Sequence, residues 1–333
     1  MSTPATTNVP KHRTAGGIDI YSISVNVFDN FWANVYVLDH PEALVLVDAG
    51  SGLDKSNQGI EQGLEEIAQQ HGRHFALQDF EVILLTHGHI DHFGGLPFLR
   101  EASEAAVWVH PADSQILTNY SKRVLSTVRK LEHFLCQAGV PKEDREVLLE
   151  IYRWGKDHYR SQPVEACLSE GVLEPFGFRI LHVPGHCPGQ VCVLADDVLF
   201  TGDHVLARIS PHLAPEAITP HTGLHTYLDS LRRIEQLEGV RVALAGHESP
   251  IFDLAARCQE IERLHWRRLR QVQQMCRRPC SIRQMSRSLF GELRSYHVLL
   301  GLEEAGALAE FLVREERLRT EALADGTWIY SQP

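Results

Sequence analysis

The segment Leu84 to Gly95 reads LLTHGHIDHFGG and places His87, His89, Asp91 and His92 within six residues, between an apolar run and a glycine pair. Imidazole nitrogen and carboxylate oxygen are ligands for a borderline divalent ion such as zinc, and a catalytic zinc keeps one position open for water. On a helix His87 and His89 would point to different faces, so the spacing suits a loop closing on a cation. A polar loop of solvated histidines would also account for the segment taken alone, because the chain has 19 histidines to distribute. That alternative weakens once three more positions are added: His186 in VPGHCPG, Asp203 in TGDHV and His247 in AGHESP.

The elements that must position these residues are legible as runs. Ile18 to Asp48 is rich in β-branched residues and punctuated by Asp, Asn, Pro and Gly, which predicts a meander of strands. Asn57 to His71 changes to helical spacing, and Val82 to Thr86 is a short apolar run of the kind buried on both faces of a sheet. The ligand-type cluster sits where that strand ends. Gly94 and Gly95 then allow a tight passage into a helix, LPFLREASEA, followed by a strand, AVWVH. From about residue 111 to 163 the pattern is helical without a strand, which predicts an insertion or cap. Strand-like runs return in FRILHVPGH, QVCVLADDVLFTGDHV and VRVALAGHESP, each carrying an Asp or His at a loop, with a helix, DSLRRIEQL, before the last. Ligands delivered by loops to one rim of a rigid sheet make an assembled site.

Beyond residue 255 the order is helix, helix, helix and a hairpin turning at Asp325-Gly326, a winged-helix order, so 256–333 is predicted as a small second domain and 17–255 as the main one. Residues 1–16 lack an apolar segment and are predicted to be a flexible tail, neither secretion signal nor anchor. The chain has 333 residues, 44% of them hydrophobic, and no run approaches a membrane span; a soluble cytoplasmic protein is expected. Seven cysteines at unpaired spacings fit reduced thiols. The formal net charge of −11 argues against a polynucleotide partner.

The order and context of these residues resemble the metallo-β-lactamase superfamily over roughly residues 18 to 255. Its H-x-H-x-D-H signature is met by His87, His89, Asp91 and His92, its downstream ligands by His186, Asp203 and His247, and its supporting aspartate by Asp48 of VLVDAG. The resemblance implies an α/β fold, a four-layer αβ/βα sandwich with a binuclear site at one edge. His87, His89 and His186 would hold one ion, Asp91, His92 and His247 the other, and Asp203 would bridge them. Two Zn2+ ions are expected, with iron or manganese also compatible, supplying a bridging hydroxide as nucleophile that Asp91 would help orient. Among the other histidines near strand ends, His110, His182, His204 and His225, His204 beside Asp203 is the best candidate for a substrate contact. No general acid is evident.

Fold and site leave the substrate open. The TGDHVL context and the C-terminal elements resemble the β-lactamase-like protein 2 group, some of whose members cleave single-stranded RNA. For RNA or a phosphodiester stands the arginine-rich stretch from Arg257 to Arg294; against it stand the overall charge and the interrupting Glu260, Glu262 and Glu292. A basic face could equally be solvated or could contact the acidic main domain. The insertion carries Tyr120, Phe134, Tyr152, Trp154 and Tyr159, which could roof a pocket for a small ester, thioester or lactone, or could be the insertion's own core. The small acyl substrate is favoured. A mononuclear iron persulfide dioxygenase and a non-catalytic ligand-binding regulator remain as alternatives. The flavodiiron branch departs at His89, where it has a carboxylate, and glyoxalase II is disfavoured because its glutathione-binding segment has no match. A homodimer is expected through the insertion or the C-terminal elements.

Overall fold

The computed structural model describes residues 8–333. Seven strands form one sheet in chain order: β1 (Lys11–Arg13), β2 (Asp19–Phe28), β3 (Phe31–His40), β4 (Ala43–Val47), β5 (Val82–Leu84), β6 (Ala106–Val109) and β7 (Ala166–Cys167). The first four are an antiparallel meander and the rest continue in parallel. The second sheet contains β8 (Gly171–Leu173), β9 (Phe178–His182), β10 (Val191–Ala195), β11 (Val198–Gly202) and β12 (Val242–Ala245), ordered β12-β11-β10-β9-β8.

Three apolar layers hold these sheets together. Tyr36, Leu38, Val47 and Leu84 of the first sheet meet Ile180, Val193, Phe200 and Leu244 of the second. The outer face of the first sheet is covered by α1 (Asp54–His71), the single turn α2 (Ile90–Phe93) and α3 (Leu96–Ala102), through Ile60, Leu64, Phe93 and Leu96. Val82, Ile83 and Leu84 are divided between these two cores, which is why their sequence shows no alternation. The insertion comprises α4 (Pro111–Thr118), α5 (Tyr120–Gln137) and α6 (Lys142–Lys156). Together with α7 (Leu224–Glu235), α8 (Leu254–Met275), α9 (Ile282–Phe290) and α10 (Tyr296–Arg314), it builds the core over the outer face of the second sheet. The architecture is the four-layer αβ/βα sandwich.

Residues 8–16 differ from the expected tail. Lys11–Arg13 pair with β2, Val9 is buried, and Thr14 Oγ1 donates to Asp196 Oδ2 at 2.6 Å, so this segment closes the sheet edge; residues 1–7 of the expected tail lie outside the described residues. Such short edge strands carry too few residues for a period to show. The C-terminal elements follow the expected order, ending in the hairpin β13 (Arg319–Ala322) and β14 (Trp328–Ser331). Their apolar residues, however, share one core with the main domain: Leu302, Leu308 and Leu312 of α10 lie in the same cluster as Leu131 of α5 and Leu228 of α7. No described helix is long and apolar enough to cross a membrane.

Candidate metal centre

Every ligand-type residue singled out in the opening segment and the three later loops leaves the carboxyl end of a strand. His87, His89, Asp91 and His92 follow β5, His186 follows β9, Asp203 follows β11 and His247 follows β12. The structure gathers these seven into three sets whose ligand atoms lie within 4.8 Å of one another: His87, His89 and His186; His87, His92 and Asp203; Asp91, His92 and His247. Asp203 is central, with its carboxylate 3.4 Å from His92 Nε2, 3.6 Å from His186 Nε2 and 3.2 Å from His247 Nε2. Tetrahedral ligands bonded at about 2.0–2.1 Å stand roughly 3.3 Å apart, so these gaps match atoms sharing a cation.

The far sides of the rings decide which nitrogen faces inward. His92 Nδ1 is 2.8 Å from Asp48 Oδ2, His186 Nδ1 is 2.7 Å from the His212 carbonyl and His247 Nδ1 is 2.6 Å from the Trp32 carbonyl. These partners only accept, so each Nδ1 carries the proton. Thr86 Oγ1 donates to Asp48 Oδ2 at 2.9 Å, which leaves its oxygen to accept from His87 Nδ1 at 3.1 Å. The Nε2 atoms of His87, His92, His186 and His247, and Asp203 Oδ1, are then buried with no hydrogen-bond partner. Buried polar atoms without partners are costly, and five of them converging on one point fit a divalent cation.

Local sequence explains the convergence. Asp48 takes a left-handed backbone conformation (φ 62°) that turns the chain out of β4, and its carboxylate accepts from both the backbone N–H and the hydroxyl of Thr86. Gly246 precedes His247 because a Cβ there would lie 2.4 Å from Asp203 Oδ1. At Gly95 a Cβ would come within 1.9 Å of the Ala49 carbonyl, so the turn after the cluster admits only glycine.

The electrostatics follow from burying two carboxylates among imidazoles. Burial is the largest single influence on His92 and His247 and opposes their protonation, but Asp203 and Asp91, with Asp48 at His92, together outweigh it; His92 is held well above the ordinary histidine range and His247 is raised to about 10. Burial favours the neutral acids at Asp91 and Asp203, yet the same two histidines keep both carboxylates below their usual values. Burial also lowers His87, His89 and His186. At pH 7 the metal-free site therefore carries protons on His92 and His247 that a cation must displace. Loading should release about two protons per chain and weaken as pH falls. Calorimetry of metal binding in two buffers of different ionisation enthalpy measures this number; zero release would contradict the arrangement.

His204 does not fulfil the expectation of a substrate contact. Its side chain is fully buried against the Tyr227 ring, with centroids 5.2 Å apart, and it belongs to none of the three ligand sets. Adjacency to Asp203 in sequence places it on the opposite side of the chain, where burial lowers its pKa to about 3. His110 and His182 stack on each other at 3.8 Å, and His225 lies beside Asp229 on α7. Phe134 is core, Trp154 is 73% exposed, and Tyr120 and Tyr159 pack on Phe93, so most of the insertion's aromatics are structural.

One residue that sequence reasoning missed is Asp113, in the first turn of α4. It is fully buried, and its carboxylate accepts from the backbone N–H of Gly88 and of Gly189, both at 2.7 Å, and from Cys187 Sγ at 3.2 Å. It thereby ties the loop bearing His87 and His89 to the loop bearing His186. A lone acid after Pro-Ala has no local signal for such a role. Asp113→Ala leaves two buried backbone N–H groups and the Cys187 thiol unpaired and should weaken metal binding about tenfold or more, read by competition with a chromogenic chelator.

A family profile described as the metallo-β-lactamase superfamily matches residues 31–247. The chain belongs to the metallo-β-lactamase superfamily. It is 24% identical over 289 residues to the probable metallo-hydrolase YqjP of Bacillus subtilis, covering 83% of this chain and 86% of that one. Over 245 residues it is 26% identical to an atrochrysone carboxyl ACP thioesterase of Aspergillus fumigatus, covering 72% of this chain and 58% of the thioesterase. Among solved structures, the metallo-β-lactamase family protein TTHA1429 of Thermus thermophilus is similar with a TM-score of 0.76 and 26% identity, over 94% of this chain and 98% of that one. The superfamily match spans all seven ligand-type residues, from His87 to His247.

Proposed function

We propose that this metal-dependent hydrolase holds two divalent cations and opens a small acyl compound, an ester, thioester or lactone. The observation that supports the reading is how the ligands group: His87, His89 and His186 form one set and Asp91, His92 and His247 another, and the set of His87, His92 and Asp203 links the two through the central Asp203 carboxylate. Bound there, such ions supply Lewis acidity and a water acidic enough to deliver hydroxide near pH 7. The chain's own contribution is to fix the inward nitrogens through Asp48, Thr86, Trp32 and His212, and to keep Asp91 ionised at the solvent-facing rim, where its carboxylate can orient the attacking water. Nitrogen and oxygen ligands favour zinc, with iron or manganese next.

An acyl substrate is supported by the relative named as a thioesterase. It is also supported by how the arginines of α8 are used. Arg257 donates to the carbonyls of Leu206 and Ile209, and Arg268 reaches Ser210 Oγ and the Glu304 carboxylate, so part of the basic stretch fastens α8 to the main domain rather than facing an RNA. The test is a panel offered to the metal-loaded chain: a nitrophenyl ester, an acyl thioester, a γ-lactone, bis(4-nitrophenyl) phosphate and single-stranded RNA. Turnover confined to the acyl compounds and abolished by chelation is expected; cleavage of RNA with no acyl turnover would overturn the substrate class.

A further inference from the structure

Outside the ligand sets of the metal centre, two thiols face each other. Cys276 closes α8 and Cys280 stands just before α9, and their Sγ atoms lie 3.5 Å apart, in contact. Neither cysteine is in a disulfide. Backbone bonds hold both in register. The Cys276 N–H donates to the Val272 carbonyl and the Cys276 carbonyl accepts from the Gln332 N–H at 2.9 Å, while Cys280 exchanges both backbone bonds with Tyr330 of β14, at 3.1 and 2.9 Å. The last strand therefore pins the backbone of each cysteine while their side chains meet.

The two thiols are not equivalent. Cys276 is fully buried and Cys280 only half-buried, so a dissolved reagent reaches Cys280 first. With Cys276 donating, their contact stabilises the Cys280 thiolate and lowers its pKa against the opposing effect of burial; the same contact, then burial, raises the Cys276 thiol. The nucleophilic form thus collects on the sulfur that solvent can reach. Other cysteines are used differently: the thiols of Cys136, Cys187 and Cys192 turn to oxygens of Asp325, Asp113 and Thr201.

We propose that Cys276 and Cys280 form a redox-active dithiol site whose oxidant is a low-molecular-weight disulfide. The Cys280 thiolate attacks one sulfur of the small disulfide, forms a mixed disulfide and releases the other half as a thiolate. Cys276 then loses its proton and attacks the Cys280 sulfur, the second half leaves as a thiolate, and the bond between Cys276 and Cys280 closes. Two protein thiols are oxidised and one small disulfide is reduced; the two protons lost by the cysteines end on the two released thiols. The sulfurs must close from 3.5 Å to about 2.05 Å, a shift that rotation of the two side chains can supply while the backbone bonds to β14 stay in place.

The test equilibrates the metal-loaded full chain with glutathione disulfide, blocks the remaining thiols by alkylation and reads the peptides by mass spectrometry. The expected product joins Cys276 to Cys280, is lighter by two hydrogens, retains no glutathione on either residue and reverts with dithiothreitol. In Cys276→Ala the second step is lost, and the glutathione adduct on Cys280 should exceed that of the wild type about tenfold or more. Recovery of both cysteines as free thiols in the wild type would overturn the proposal, as would an adduct on Cys280 no smaller in the wild type than in Cys276→Ala. Should the variant not fold, the wild-type product decides alone. Metal content and turnover play no part in this readout, so the hydrolase reading and this one stand or fall separately.

Discussion

Replacing Asp203 with alanine should remove most of the bound metal and nearly all turnover from a chain that still folds. The carboxylate stands within 3.6 Å of three imidazole nitrogens, His92, His186 and His247, and among the described residues no other acid pairs with all of them. Without it His186 loses the one carboxylate that pairs with it among the described residues, and His92 and His247 lose the acid that contributes most to their protonated form. The sheets are not at risk, because β11 ends at Gly202 and the apolar layers on either side of it are untouched. Metal content after dialysis, circular dichroism and turnover of the best acyl substrate read the three consequences together. His89→Ala should behave alike, since His89 completes the set with His87 and His186. Wild-type metal content in either variant would mean that the ligands are elsewhere.

The second large effect comes from a residue that would touch no metal. Asp48 accepts from His92 Nδ1, from Thr86 Oγ1 and from the Thr86 backbone N–H, and through Thr86 it also sets the His87 proton. Asp48→Ala should lower metal affinity by about 10- to 100-fold, the range seen when the partner of a metal-ligating histidine is lost. It should also lower the melting temperature of the metal-free protein, since three buried donors lose their acceptor. Asp48→Asn is the informative comparison. Its amide oxygen can still serve the Thr86 N–H, but its NH2 group would face the donors His92 Nδ1 or Thr86 Oγ1. Folding should then recover more than metal affinity does; equal recovery of both would argue against control of the histidine proton by Asp48.

These two residues also mark how far the sequence could be read. The ligand-type cluster was legible because its chemistry demands unusual residue types at strand ends, and glycines such as Gly95 and Gly246 stand where no Cβ fits. Asp48 was legible only through its likeness to a known pattern. Asp113 was not legible at all, since it acts on loops distant in the chain, across contacts that no local period encodes. His204 misled for a related reason: it sits in the turn after β11, its N–H bonded to the Thr201 carbonyl, and that turn carries its ring away from the ligands into the core against Tyr227. Strands β1, β7 and β8 are three residues or fewer, too short to show an alternation. The boundary expected at residue 255 came from a change in composition, but the leucines of α10 complete the core over the second sheet.

The most direct test of the account is elemental analysis of the purified, untagged chain after exhaustive dialysis, set beside the same measurement on Asp203→Ala. The account predicts about two divalent ions per chain, with zinc the leading candidate, falling well below one in the variant. One iron per chain and no hydrolysis of any acyl compound would contradict it, and would point to oxidative chemistry at the same ligands.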